Sequence, residues 1–192
     1  MARFPHVYVL NVMADDRPGI VAAVAGAVAK LGGSIDECSQ TVLNGYFTLI
    51  MIVSLPGPTG PATLADTVRS AERNLQVMAC PFAELPSPAP GAEKFVITAF
   101  GHDQPGIVLR FSQYLAGKDI NITDFYADRK HADFVLISQV EIPPQWDLAL
   151  LQADLEELGN EMGFTVRLQH ENIFVATNQL RLTVGRTNAT NT

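Results

Sequence analysis

Two hexapeptides hold the residues best suited to chemistry: Asp16-Arg17-Pro18-Gly19-Ile20-Val21 and Asp103-Gln104-Pro105-Gly106-Ile107-Val108. In each, an acidic residue and a Pro-Gly pair stand just before an apolar-periodic run, the pattern of a strand-to-helix turn. A helix start leaves backbone N–H groups unpaired and carries a partial positive charge, which suits a ligand carboxylate. Gly19 and Gly106 have no Cβ to bar a ligand from those amides, and Asp16 or Asp103 could take an ammonium group. A plainer use is open for the same residues. The aspartates would be N-caps, Pro18 and Pro105 would sit in a first turn whose N–H groups are unpaired anyway, and the glycines would allow close helix–sheet packing.

Other candidates are weaker. His6, His102, His131 and His170 are scattered, with no i,i+4 pair and no nucleophile motif nearby. Only His102, beside Asp103, adjoins a predicted pocket, and it reads as a loop histidine facing solvent or ligand. Asp15 and Asp16 are adjacent and so diverge, while Glu156-Glu157 reads as the solvated face of a helix. Cys38 and Cys80 have no Cys-x-x-Cys partner and no ligand-spaced histidine, so two buried thiols are expected and neither metal nor cofactor is. The sequons at Asn121 and Asn188 need a secretory signal, and Met1–Phe4 opens no apolar run of that kind. With Lys+Arg 13 against Asp+Glu 20, a net charge of -7 argues against direct nucleic-acid binding. At 47% hydrophobic and 17% charged, the 192 residues can bury a sizeable core. No stretch approaches a membrane span, and a cytoplasmic place is expected.

The elements that must position the hexapeptides repeat with them. An offset of 87 residues aligns Val7–Pro56 with Lys94–Pro143 without a gap, and thirteen of the fifty pairs are identical. Tyr8–Met13 and Phe95–Phe100 read as central strands. Pro18–Leu31 carries Ile20, Val24, Val28 and Leu31 on one helical face, matched by Ile107, Phe111 and Leu115. Strand pairs follow at Ile35–Leu43 with Phe47–Leu55, turning at Asn44-Gly45, and at Ile122–Arg129 with Phe134–Ile142, turning at His131-Ala132. Leu64 and Val68 mark one second helix, and Leu148, Leu151, Leu155 and Leu158 the other. Gln76–Phe82 and Phe164–Gln169 supply last strands. The order is βαββαβ, twice: an α+β chain with a first domain at 1–85, a Pro-rich linker at 86–92, a second domain at 93–172 and a tail at 173–192.

That order, with Asp-x-Pro-Gly-Ile at the first strand-to-helix turn, resembles the ACT domain, a ferredoxin-like module that senses amino acids. Two copies with no added domain are similar to the glycine cleavage system transcriptional repressor family. The resemblance implies two four-stranded antiparallel sheets with helices on one face and a non-enzymatic regulator. It also implies a small amino-acid effector, and a protein partner, such as a transcription factor, through which any repression would act. It places the effector at the strand-to-helix loop and the start of the second strand. In copy one these are Asp16, Arg17, Pro18, Gly19, Ile20 and Ser34. In copy two they are Asp103, Gln104, Pro105, Gly106, Ile107 and Asn121, and this copy is favoured because a polar residue, typically Asn, contacts the effector at the second-strand position. The alternative is a small ferredoxin-like enzyme of acylphosphatase type with Arg17 cradling phosphate, although copy two has Gln104 there. An RNA-recognition module would need exposed strand aromatics and basic flanks. Apolar residues on the second sheet face, Ile50 and Ile52 with Val135 and Ile137, predict that the copies pack together and that chains form a homodimer.

Overall fold

A computed structural model describes residues 2–83 and 90–175, apart from the side chain of Lys130. Residues 86–89 of the predicted linker, residues 84 and 85 before them, and the tail from 176 onward lie outside the described residues. The contacts divide the chain into two compact units, Met1–Leu85 and Pro86–Thr192.

In the first unit the elements are β1 (His6–Asp15), α1 (Ile20–Lys30), β2 (Ser34–Leu43), β3 (Tyr46–Leu55), α2 (Pro61–Arg69) and β4 (Gln76–Pro81). The second has β5 (Glu93–His102), α3 (Ile107–Gly117), β6 (Asn121–Lys130), β7 (Asp133–Ile142), α4 (Leu148–Glu161) and β8 (Phe164–His170). Each unit is a four-stranded sheet, β2-β3-β1-β4 and β6-β7-β5-β8, with every pairing antiparallel. Both units are thus α+β ferredoxin-like βαββαβ folds, the order that the repeat implies.

Alternation along the strands decides which face the helices cover. In β1, Tyr8, Leu10, Val12 and Ala14 are buried, and in β3 Phe47, Leu49, Met51, Val53 and Leu55 are. Against them α1 lays Ile20, Val24, Ala27 and Val28, and α2 lays Leu64 and Val68. The second core repeats this with Phe95, Ile97 and Ala99 under Ile107, Phe111 and Leu115 of α3 and Leu151 and Leu155 of α4. At about 25 cal/mol per Å2 of apolar surface removed from water, such faces are what hold helices to sheet. The turn between β2 and β3 takes positive φ at Asn44 (50°) and Gly45 (83°), the pair that a two-residue hairpin demands. Between β6 and β7 His131 takes that conformation at 60°.

Two expectations fail here. The first helices begin at Ile20 and Ile107, not at the prolines, and their N-caps are Gly19 and Gly106 with no side-chain cap. Asp16 and Asp103 stand three residues too early to reach first-turn amides, so they are not caps. The thiols are exposed rather than buried. Cys38 and Cys80 lie on β2 and β4, the edge strands, where a side chain has a neighbouring strand on one side only.

Candidate functional site

The β1–α1 and β5–α3 loops leave corresponding ends of their own sheets and enter their helices through the same backbone conformation. Gly19 has φ 100° and Gly106 φ 88°, left-handed values that L side chains rarely adopt. A Cβ at either glycine would meet nothing within 4 Å, so close packing is not why they are glycines; the turn is. The first helical bonds run from Ala23 N–H to the Gly19 carbonyl and from Arg110 N–H to the Gly106 carbonyl. The amides of Ile20, Val21 and Ala22, and of Ile107, Val108 and Leu109, precede them and have no intrahelical acceptor. Neither helix has an acidic residue in its first turn. By contrast Asp147 caps α4, its Oδ1 accepting from Ala149 N–H at 2.8 Å and Leu150 N–H at 3.0 Å. The positive ends of α1 and α3 are therefore left without a compensating carboxylate of their own.

In copy one these amides open on a cleft of about 570 Å3 lined by Asp16, Arg17, Pro18, Gly19, Ile20 and Val21, with Ala22, Ala25, Gln40 and Phe47. Arg17 does not project freely into it. Its Nη1 donates to the Asp15 carbonyl (3.1 Å), its Nη2 to the Arg73 carbonyl (2.5 Å), and it pairs with Glu72 at 3.5 Å. Gln104 does the matching work in copy two, donating from Nε2 to the Met162 carbonyl at 2.9 Å. The residue between Asp and Pro thus ties the loop to the turn that precedes the last strand, by a cation in one copy and an amide in the other. Asp103 is held by Arg129, whose Nη1 lies 3.2 Å from its Oδ2, whereas the Asp16 side chain makes no hydrogen bond or ion pair among the described residues. Beside the second loop, His102 Nδ1 lies 3.4 Å from both the Ala132 carbonyl and Asp133 Oδ1, and its side chain is largely exposed.

Within each unit the loop and the second-strand residue do not meet. Asn121 is level with Glu141 and so with Lys94, whereas the loop leaves β5 at His102, eight residues along. At about 3.3 Å per residue that is roughly 26 Å. Ser34 is likewise level with Ser54 and Val7, eight residues from Asp15. The crossover helix is the reason, because it returns the chain to the opposite end of the sheet. Asn121 is exposed, with its Nδ2 3.5 Å from Glu141 Oε2. The expectation that the Asp103–Ile107 loop meets Asn121 is corrected for a single unit.

Sequence reasoning missed Arg129, which holds Asp103, and Gln40 and Phe47, which line the cleft. Alternation in β2 and β3 carries that signal, since Gln40 pairs with buried Leu49 and Phe47 is itself core, so both point to the helix side.

The ACT domain model matches residues 6–79 and 93–169. Among curated relatives, the UPF0237 protein of Methanosarcina acetivorans is 33% identical over 84 residues, 43% of this chain and 91% of that protein. That of Methanococcus maripaludis is 40% identical over 83 residues, 43% and 92%. Two solved structures span both units. An unknown protein from Galdieria sulphuraria is 24% identical with a TM-score of 0.71, and a protein provisionally assigned as a glycine cleavage system transcriptional repressor is 19% identical with a TM-score of 0.63. Each covers 86% of this chain and 98% of its own, and at these identities the likeness shows the fold.

Proposed function

The chain belongs to the ACT-domain family, in two copies, and on that premise we propose that it is a non-enzymatic regulatory protein that senses a small effector, an amino acid, through its strand-to-helix loops. The observation that carries the reading is the repeated helix start: two left-handed glycines, no side-chain cap and no first-turn carboxylate. Such an end offers a ligand carboxylate several N–H donors and a favourable dipole, at no cost in rearrangement. Charge-assisted hydrogen bonds of this kind contribute roughly 1.5–3 kcal/mol each.

The ligand-contacting residues we assign are Asp16, Pro18, Gly19 and Ile20 in copy one and Asp103, Pro105, Gly106 and Ile107 in copy two, with Arg17 and Gln104 positioning the loops. The cleft and the unengaged Asp16 support copy one as the first site, with Asp16 on the ligand ammonium. In copy two, Arg129 competes for Asp103. Ser34 and Asn121, eight residues along the sheet from their loops, are not assigned to these loop sites. The acylphosphatase reading loses its anchor, since the Arg17 guanidinium is spent on Asp15, Arg73 and Glu72. Any transcriptional output would pass through a DNA-binding partner in the cytoplasm, because a chain of net charge -7 is repelled by phosphates.

Thermal-shift and calorimetric screening of the twenty amino acids tests the reading. A true effector raises stability by RT ln(1 + [L]/Kd), about 2.7 kcal/mol at 100 Kd. Val21→Asp and Val108→Asp then place a carboxylate in each first turn, which favours the helix and disfavours a ligand carboxylate. We expect unchanged or slightly raised melting temperatures and a tenfold or greater loss of affinity in at least one variant. If no amino acid shifts melting, or both variants bind as the parent does, the reading is wrong.

A further inference from the structure

The sheet of the second unit has a face that the helices leave uncovered, and its register can be read across four strands. One row is Thr165–Phe100–Val135–Asp128 and the next is Arg167–Thr98–Ile137–Tyr126, each running from edge strand β8 to edge strand β6. Phe100 is 55% exposed and Tyr126 52%. Val135 and Ile137, between them, are half-buried, and Val96, one row further, is buried and bounds the stripe.

Charges of opposite sign stand at the two edges of this face, and Lys94 of β5 is level with Glu141 of β7 at one end of it. Arg167 stands on β8, while Asp124 and Asp128 stand on β6, two residues either side of Tyr126. Val166 and Phe164 point to the core, which places Arg167 on the open face. Asp124 and Asp128 share that face because they pair with Gln139 and Val135.

From this arrangement we infer that the open face of the second sheet is a self-complementary surface for a second copy of the chain. A two-fold axis lying in the interface and parallel to the strands reverses the strand order, so β8 of one copy lies over β6 of the other. Arg167 then comes to rest over the Tyr126 ring of its mate and between two carboxylates. At the same time β5 lies over β7, setting Phe100 against Val135 and Thr98 against Ile137, at the ~10 Å spacing of packed sheets. The guanidinium over an aromatic ring adds a cation–π contact to the ion pairs. The first unit's open face offers no such match. Its charged strand residues are Asp15 and Glu37, both acidic, so a second copy there would offer neither of them a basic partner. The inference stands independently of the effector reading.

Charge reversal in the full-length chain tests it by sedimentation equilibrium over a wide concentration range. The parent chain is expected to dimerise, more weakly as salt rises. Arg167→Glu, and separately the pair Asp124→Lys with Asp128→Lys, should each raise the dimer dissociation constant at least tenfold. All three side chains are on strand surfaces, so circular dichroism should be unchanged. Mixing the two variants should restore dimers of parental strength, since each interface then holds opposite charges again. Phe100→Ser weakens the dimer without altering charge and serves if a reversal variant folds poorly. A parent chain that stays monomeric at millimolar concentration overturns the inference. So do dimers indifferent to both reversals, or reversal variants that fail to recombine. A dimer lost on Ile50→Lys but kept in Arg167→Glu assigns the interface to the first sheet instead.

Discussion

At Gly19 and Gly106 the backbone turns through φ of 100° and 88°, and the space around each missing Cβ is open. Gly→Ala at either position is expected to cost about 1–2 kcal/mol, the penalty of holding an L residue in the left-handed region. Gly→Val should cost more, because branching at Cβ adds to that strain. Urea denaturation of the four variants checks this ordering. A loss of binding in Gly106→Val alone would therefore not locate a site, which is why a first-turn carboxylate is the better probe. A second residue-scale test is Tyr114, whose hydroxyl donates to Asp154 Oδ2 at 3.1 Å while Lys118 Nζ lies 3.0 Å from the same oxygen. Burial first, and then the charge and hydrogen bond of Asp154, push the phenol well above its ordinary range. Since the folded pKa exceeds the unfolded one, this contribution is complete below about pH 10 and is lost as pH climbs beyond it. Tyr114→Phe should flatten the alkaline decline in stability relative to the parent, measured by denaturation between pH 8 and 11. Asp154 moves the other way, its carboxyl held low by hydrogen bonds from Lys118 and then Tyr114.

The elements repeat more faithfully than the residues do. Strands and helices through β7 start and end 87 positions apart, and so do the bulges, at Ile35/Glu37 in one copy and Ile122/Asp124 in the other. That much was legible in the sequence, because strand and helix periods survive substitution among apolar residues at the same positions. Asn44-Gly45 and His131-Ala132 mark the same turn although only one has the familiar composition. The capping of the first helices was not legible. An Asp three residues before the first helical turn looks like a cap unless the intervening Pro-Gly is known to take a left-handed step. The opposite placement of loop and Asn121 could have been read by following the chain, since a crossover helix returns it to the other end of the sheet. Capping now separates two aspartates by measurement. Asp147→Ala removes two accepted N–H bonds and should cost about 1 kcal/mol. Asp16→Ala removes no cap and should fall within about 0.5 kcal/mol of the parent, as surface substitutions away from specific contacts do. Equal losses in chemical denaturation would mean that Asp16 supports α1 after all.

The two cores draw on separate stretches of chain: every buried residue of the first cluster lies between Tyr8 and Leu75, and every one of the second between Phe95 and Val166. Among the described residues each sheet has four strands, β2-β3-β1-β4 and β6-β7-β5-β8. A sheet of four strands with two helices on one face, in some eighty residues, is large enough to fold on its own apolar burial. Residues 1–85 and 90–175, expressed separately, should therefore each unfold in one cooperative transition. Their urea m-values should be roughly half that of the full chain, since m scales with the surface exposed on unfolding. The charge pattern separates the halves further. Arg167, Asp124 and Asp128 all belong to the second, so residues 90–175 should self-associate in a salt-dependent way. The first half, whose open face carries Asp15 and Glu37 without a basic residue, should remain monomeric under the same conditions. Sedimentation of the two halves side by side decides the matter. Association of the first half alone would place the contact on Ile50, Ile52 and Met78, and would show that apolar area outweighs charge matching in choosing which sheet pairs.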